Sequence, residues 1–348
     1  MSAGSKEGAA AAAADPRPIF VARSDDSRTV AFRGPLKGFK PKDGARIVQE
    51  ATDNVFANNT IGKHQFSATG NVAAFHDHEA HELLFFNAAT GKQFGKLSPG
   101  HKIQVFGLSP LGRYVVTWHR YDAQASDTTD NLLVWDVRSG ERVGGFVQKK
   151  LVAESWPTVR WRGPDDSLAS VLRTNQIVFY DMNAEGMRKP AWKIHAKGVT
   201  LFEFSKPVAP GSDKFYVATF SPESRGGTGM ARIFDSTNPE QPVVQRAIFN
   251  AQDAKLSFSP SGKSLLVQSS SAQDKTGGSY YGNRSGCLLG VDAADAVDVT
   301  MPGTTHTMEW SPTADIFISI TGSMPNTKIE LTDHRGRVIK DLGVEVRH

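Results

Sequence analysis

The strongest constraint in this sequence is a short cell that recurs six times along the chain. The cell starts with an aromatic residue or leucine, continues with Ser-Pro or a near relative, turns with Gly or Asp, and leads into an apolar run. The leading residues are Phe66, Leu108, Trp161, Phe204, Phe258 and Trp310. Consecutive leading residues are 42 to 54 positions apart. A period of this length is typical of propeller blades.

A second signature follows each cell, and it is a short β-rich run that mostly ends in a polar residue. These runs are 83–87, 132–136, 177–181, 231–235, 288–292 and 329–333. The turn after such a run is often rich in glycine, which suits a hairpin between outer strands. A four-stranded antiparallel blade is apolar on both faces, so it needs neighbouring blades to cover it. We therefore predict an all-β, WD40-like β-propeller of four-stranded antiparallel blades.

The repeats also predict how the chain is divided. The six full repeats start near 64, 105, 158, 200, 255 and 307. Three earlier strand-like pieces, 19–22, 29–32 and 46–48, predict a partial N-terminal blade within 17–60. The propeller is expected to cover 17–348, after a disordered tail at 1–16 whose alanines cannot bury a core.

The residue types present, and their spacing, argue against several classes of function. No paired carboxylates, nucleophile with a base, or metal-ligand set recurs at chemical spacing, so we expect no enzyme, no cofactor and no metal. One cysteine, Cys287, cannot form an internal disulfide and suits a reducing compartment. Because no apolar run approaches the ~18 residues of a membrane span and no signal peptide is recognisable, we predict a cytoplasmic protein without a membrane partner. The net charge of +4 is compatible with weak, salt-sensitive attraction to nucleic acid or acidic partners, and an ordinary soluble surface is the alternative that this small excess favours.

The segment 76–81 holds three histidines with Asp77 and Glu79 between them. Metalloprotease chemistry needs two histidines at i and i+4 on a helix with a glutamate between them. Here the histidines fall in a hairpin turn, so the pattern favours a solvated turn over a zinc site.

Four motifs resemble the eukaryotic translation initiation factor 2A family, in the order found in that family. They are Val-Thr-Trp-His-Arg-Tyr at 116–121, Phe-Val-Gln-Lys-Lys at 146–150, Asp-Lys-Thr-Gly-Gly-Ser-Tyr-Tyr-Gly at 274–282 and Gly-Ser-Met-Pro at 322–325. The third motif is long and unlike generic WD40 sequence. The resemblance covers 17–348 and implies that the last blades of a nine-bladed propeller, and a basic C-terminal tail, are missing here. An incomplete ring with an exposed blade face is therefore expected.

The resemblance implies a translation initiation factor of the 2A type, docking on the small (40S) ribosomal subunit and supporting delivery of initiator methionyl-tRNA. The partners it implies are the small ribosomal subunit, initiator tRNA, mRNA and other initiation factors. Segments that bind tRNA and mRNA in the family are thought to lie largely beyond the propeller, so ribosome docking is the part this region would retain. The alternative is a generic WD40 scaffold that binds proteins through a sheet edge and has no RNA role.

Two lysines at a blade connection are the first candidate contact with RNA. Lys149 and Lys150 follow the outer strand of the second full repeat, where their ammonium groups would reach solvent and could pair with phosphates. Two solvated lysines without a binding role are the alternative.

Two loops supply the other candidates. In the first, which spans 274–284, Lys275 and Arg284 could meet phosphate while Tyr280 and Tyr281 stack on unpaired bases. An ordered hairpin with one tyrosine packed between blades is the alternative. The second, at 33–42, carries Lys37, Lys40 and Lys42 around one aromatic residue and suits a flexible RNA-contacting arm, with a plain linker as its alternative.

Overall fold

The computed structural model describes residues 19–23, 29–33, 49–50, 61–122, 124, 130–151, 156–162, 166–184, 186–209, 212–224, 227–271, 283–291, 297–322 and 327–343. Within these residues the regular structure is β-strand, apart from one 3-10 turn at Gly186–Arg188. Six four-stranded antiparallel sheets and one three-stranded sheet are present among them, which confirms the predicted fold. Every sheet has its strands in chain order, as propeller blades do.

The chain forms two compact units, and unit 1 consists of residues 1–153 and 164–166. Its N-terminal sheet contains β1 (Ile19–Arg23), β2 (Thr29–Arg33) and β3 (Gln49–Glu50). Sheet 1 contains β4 (Ile61–Phe66), β5 (Val72–Asp77), β6 (Glu82–Asn87) and β7 (Gln93–Leu97). Sheet 2 contains β8 (Val105–Leu108), β9 (Tyr114–Trp118), β10 (Leu132–Asp136) and β11 (Arg142–Phe146). The third N-terminal strand therefore follows the predicted piece at 46–48, which lies outside the described residues.

Unit 2 consists of residues 154–163 and 167–348 and contains four sheets. Sheet 3 contains β12 (Val159–Trp161), β13 (Leu168–Arg173), β14 (Gln176–Asp181) and β15 (Trp192–His195). Sheet 4 contains β16 (Leu201–Phe204), β17 (Tyr216–Ser221), β18 (Gly229–Asp235) and β19 (Asn238–Ile248). Sheet 5 contains β20 (Asp253–Phe258), β21 (Ser264–Ser271), β22 (Asn283–Gly290) and β23 (Asp298–Thr300). Sheet 6 contains β24 (Thr305–Trp310), β25 (Ile316–Thr321), β26 (Lys328–Asp333) and β27 (Val338–Asp341).

The Ser-Pro cell is the turn between the first and second strands of a sheet. In sheet 2 the Ser109 hydroxyl accepts the N–H of Tyr114 at 2.9 Å, and Gly112 donates its N–H to the Ser109 carbonyl at 2.9 Å. Gly112 has a φ of +75°, which glycine adopts without a steric penalty. The cell recurs because serine and glycine together close this turn, so its chemistry marks where the second strand begins.

The core lies between neighbouring sheets of each unit. In unit 1, Phe85 of sheet 1 and Val115 of sheet 2 belong to one buried cluster. In unit 2, three such clusters lie between sheets 3 and 4, 4 and 5, and 5 and 6. Burying a side chain of this kind contributes roughly 1.5 to 3 kcal/mol, so each sheet gains stability by being covered by its neighbour.

Candidate nucleic-acid interface

Two of the motifs quoted above meet at one end of sheet 2. The motif at 116–121 covers the end of β9 and the residues after it, and the motif at 146–150 covers the end of β11 and its turn. The indole Nε1 of Trp118 donates a 3.0 Å hydrogen bond to the carbonyl of Gln148. Because the Trp118 side chain is buried, this bond fixes the backbone just before the two candidate lysines.

Asn131, which directly precedes β10, joins the same two segments. Its side-chain amide donates to the carbonyls of His119 and Gln148, both at 2.8 Å. Its Oδ1 accepts the N–H of Gln148 at 2.7 Å. The Asn131 side chain is almost wholly buried, and replacing a buried polar group that satisfies several backbone groups is costly. The turn after β11 is therefore held in one backbone conformation.

The lysines that follow are exposed. The Lys149 ammonium lies 5.6 Å from the centroid of the Tyr121 ring, within the range of a cation–π interaction. The Gln148 side-chain amide donates to the Lys150 carbonyl at 3.1 Å. We call the group formed by Tyr121, Lys149 and Lys150 the basic junction. Trp118, Asn131 and Gln148 hold it in place.

A pair of histidines lies beside the basic junction. The ring centroids of His101 and His119 are 4.1 Å apart, with an angle of 31° between the ring planes. Burial lowers the pKa of both imidazoles, with a smaller contribution from Arg142 to His101 and from His101 to His119. Neither Nε2 of His101 nor Nδ1 of His119 has a hydrogen-bond partner among the described residues. This pair favours the neutral form, so the lysines supply the positive charge of the junction.

The structure places the other predicted site residues as follows. Arg284 is exposed and lies in β22, where it pairs with Ser270 of β21. It therefore belongs to a strand and not to the loop in which it was predicted. The remaining candidates lie outside the described residues: Lys37, Lys40, Lys42, Lys275, Tyr280 and Tyr281.

The histidine-rich segment forms the hairpin turn between β5 and β6, as predicted, but it is not fully solvated. His76 and Asp77 are buried, and the Asp77 carboxylate accepts the N–H groups of Glu79 and Ala80, both at 3.1 Å. Burial is the largest of the causes that lower the pKa of His76. Within the described part of the chain, no three His, Cys, Asp or Glu side chains are placed to hold a metal ion.

Cys287 is buried in sheet 5. Burial raises the pKa of its thiol to about 11, against a smaller opposing contribution from Arg246. The thiol is therefore protonated at neutral pH and is a poor nucleophile.

Asn131 and the histidine pair were not predicted from the sequence. Asn131 bonds to residues 12 and 17 positions away, and nothing in its local sequence indicates these partners. Gln148 lies inside a quoted motif, but its role is structural: its carbonyl accepts and its N–H donates the hydrogen bonds that fix the turn. In the sequence, the basic junction is indicated only by the two motifs at 116–121 and 146–150. The register of sheet 2 brings these two motifs together.

Comparison with known proteins agrees with the motifs. The sequence model described as "Eukaryotic translation initiation factor eIF2A" matches residues 246–347, a stretch that includes sheets 5 and 6. The eukaryotic translation initiation factor 2A of Dictyostelium discoideum is 28% identical over 284 residues, which are 82% of this chain and 45% of that protein. The chain is related to eukaryotic translation initiation factor 2A.

The factor 2A of Schizosaccharomyces pombe is 29% identical over 263 residues, covering 75% of this chain and 44% of that protein. The chain thus spans about half the length of the curated factor 2A relatives it matches. A solved structure described as the crystal structure of "the eukaryotic initiation factor" has a TM-score of 0.67 at 23% identity, over 94% of this chain and 74% of that one. That likeness concerns the fold. No helix among the described residues is long and apolar enough to cross a bilayer.

Proposed function

We propose that this chain acts in translation initiation, in the cytoplasm, by docking on RNA of the small (40S) ribosomal subunit through the basic junction. In this role it supports delivery of initiator methionyl-tRNA to that subunit. The observation that carries the proposal is the fixed turn at Gln148, which presents Lys149 and Lys150 to solvent. The relationship to factor 2A indicates the process in which such a surface would act.

The strength of a contact between these lysines and phosphate depends on the entropy that the side chains lose and on their charge. Long lysine side chains lose rotamer freedom when they bind a phosphate, but a backbone that is already fixed adds little further cost. The Lys149 ammonium over Tyr121 is partly ordered before it binds. Lysines contact phosphate as point charges, and such contacts position a protein on RNA without reading its sequence.

The residues of the two candidate loops remain part of the proposal. Lys275, Tyr280, Tyr281 and Arg284 are proposed as a second contact, in which the tyrosines stack on unpaired bases and the basic groups meet phosphate. Lys37, Lys40 and Lys42 are proposed as an additional basic arm. Initiator tRNA, mRNA and other initiation factors are the further proposed partners.

Co-sedimentation with purified 40S subunits at two salt concentrations tests the docking surface. The double variant Lys149→Glu, Lys150→Glu is expected to bind about tenfold or more weakly at low salt. Each lost phosphate contact should also reduce the slope of log affinity against log salt by roughly 0.7 to 0.9. The control is Lys193→Glu, Lys197→Glu, which makes the same charge change at exposed lysines of unit 2. Equal loss in both double variants would mean that net charge, and not the basic junction, determines binding.

A protein-binding scaffold is the second candidate, and one observation favours it. All four residues of β27 are exposed at the edge of sheet 6, with Val338 and Ile339 more than half exposed. An exposed apolar edge strand can pair with a strand of a partner. A pull-down that resists both ribonuclease and salt, with 40S association unchanged in the Lys149→Glu, Lys150→Glu variant, would support the scaffold and refute RNA docking.

A further inference from the structure

Unit 2 contains a cavity of about 380 Å³ at the ends of the first strands of sheets 4, 5 and 6. Its walls come from the Ser-Pro cells and from the residues just before them. The leading residues of three consecutive cells, Phe204, Phe258 and Trp310, all line it. A volume of this size is in the range of small-molecule sites, which commonly combine aromatic walls with a few polar groups.

The aromatic walls are held in position by contacts within unit 2. The Trp310 indole donates its Nε1–H to the carbonyl of Ser257 at 2.9 Å and meets Phe317 edge-on at a centroid distance of 5.2 Å. Phe204 meets Phe202 and Phe215 edge-on, at 5.4 Å and 5.9 Å. The three leading side chains are only half-buried, so part of their surface faces the cavity. Such surfaces suit a flat aromatic ligand.

Glu203 supplies the acidic group of the cavity. Its Oε1 accepts the N–H of Phe204 at 3.0 Å, and its Oε2 lies 3.7 Å from Nη1 of Arg160. That guanidinium also donates to the Phe202 carbonyl at 2.6 Å. Burial raises the pKa of the Glu203 carboxyl in spite of the Phe204 and Arg160 contacts. A ligand with N–H donors would therefore stabilise the ionised form of Glu203.

Lys206 supplies a positive charge at the same cavity. It is exposed, and its ammonium has no ion-pair partner within the described part of unit 2. Lys255 and Glu309, on the neighbouring strands β20 and β24, form an ion pair and balance each other. The cavity thus combines three aromatic side chains, the partly exposed carboxylate of Glu203 and the ammonium of Lys206.

We propose that this cavity binds a guanine nucleotide, with the base against Phe204, Phe258 and Trp310. The guanine N1–H and exocyclic N2–H are adjacent donors and would both point to the Glu203 carboxylate. The phosphate would meet Lys206. Adenine presents one donor, its N6 amino group, beside the N1 acceptor on the same edge, so it can donate only one hydrogen bond to the carboxylate and directs the N1 lone pair at the negative charge. The proposal does not depend on ribosome docking, because the basic junction belongs to unit 1.

Titration of the full chain with GMP tests the proposal, with tryptophan fluorescence and calorimetry as readouts. GMP should bind saturably and AMP about tenfold more weakly, the ratio that a lost charge-assisted hydrogen bond produces. Glu203→Gln should weaken GMP binding about tenfold or more. Glu309→Gln is the matched control, since Glu309 does not line the cavity, and it should bind GMP like the wild type.

A second comparison isolates the phosphate contact and holds even if Glu203→Gln fails to fold. Guanosine lacks the phosphate and should therefore bind the wild type more weakly than GMP does. Lys206→Ala should bind guanosine and GMP equally. The control Lys189→Ala, at an exposed turn, should keep the wild-type difference between the two ligands. Single-stranded hexanucleotides with one guanine or with adenine in its place distinguish guanine in RNA from the free nucleotide. Absence of saturable GMP binding, equal binding of GMP and AMP, or an unchanged GMP affinity in folded Glu203→Gln would overturn the proposal.

Discussion

The hydroxyl of Ser109 donates a 2.7 Å hydrogen bond to the carboxylate of Asp166, which lies 57 residues further along the chain. The same carboxylate accepts the N–H groups of Leu111 at 2.9 Å and Arg113 at 3.1 Å. Asp166 is 4% exposed and thus satisfies three donors of the Ser-Pro turn of sheet 2 inside unit 1. This turn is therefore held by its own serine and glycine and also by a distant acidic residue.

Replacing Asp166 with alanine is expected to lower the free energy of unfolding by about 2 to 4 kcal/mol, because the buried Ser109 hydroxyl and two partly buried N–H groups lose their charged acceptor. Urea unfolding followed by circular dichroism measures the loss. Asp213→Ala, at an exposed aspartate, should cost less than about 0.5 kcal/mol. A cost for Asp166→Ala as small as this control would show that water replaces the carboxylate.

The Gln148 turn depends on Asn131. Asn131→Ala should lower the free energy of unfolding by about 2 to 3 kcal/mol, since it removes a buried amide that makes three hydrogen bonds to the backbone of His119 and Gln148. It should also weaken 40S association although both lysines remain. Asn175→Ala, which removes one exposed bond to Gly198, is the control for stability and for binding. Full 40S association by a folded Asn131→Ala protein would show that the lysines need no fixed backbone.

Two glycines with the same backbone conformation should respond differently to alanine. Gly112 and Gly140 have φ values of +75° and +71°. A Cβ at Gly112 would lie 2.6 Å from Cβ of Val72, whereas at Gly140 no described atom lies within 4 Å. Gly140→Ala should lower the free energy of unfolding by about 1 kcal/mol, because of backbone strain alone. Gly112→Ala should lower it by about 2 kcal/mol or more in addition, because of the clash with Val72. Thermal unfolding of both variants gives the comparison, and equal shifts would mean that Val72 moves away at little cost.

The histidine pair predicts a loss of stability at mildly acidic pH. The native pKa values of His101 and His119 lie below the usual 6.5, so the unfolded chain binds more protons once the pH falls below that value. The contribution of the two neutral imidazoles to the stability of the folded state is complete above about pH 6.5. It is lost as the pH falls toward the lowered native pKa values. The free energy of unfolding in urea at pH 7.5 and 5.5 measures this loss. His101→Gln should reduce the pH dependence relative to the wild type, and an unchanged dependence in His101→Gln would disprove the assignment.

The sheets could be predicted because their signals are local. Serine, proline and glycine close the first turn of a sheet, and apolar runs of four to six residues form the strands that need cover. Arg284 shows where this reasoning fails. The strand β22 begins at Asn283, before the apolar run, because its first residues pair through their backbones with serines of β21. Backbone ladders form irrespective of side-chain polarity, so hydrophobic pattern alone placed this strand too late.

The amino-acid sequence alone determined the blade period, the turn chemistry and the motifs that resemble factor 2A, because each depends on residues close together in the chain. Tertiary structure alone decided that Asn131 and Trp118 fix the turn before Lys149, that Asp166 binds the Ser109 turn, and that three aromatic leading residues share a cavity with Glu203. These contacts join residues 17 to more than 50 positions apart. Their partners are set by sheet register and by the packing of neighbouring sheets, and contacts between residues so far apart in the chain leave no local pattern in the sequence.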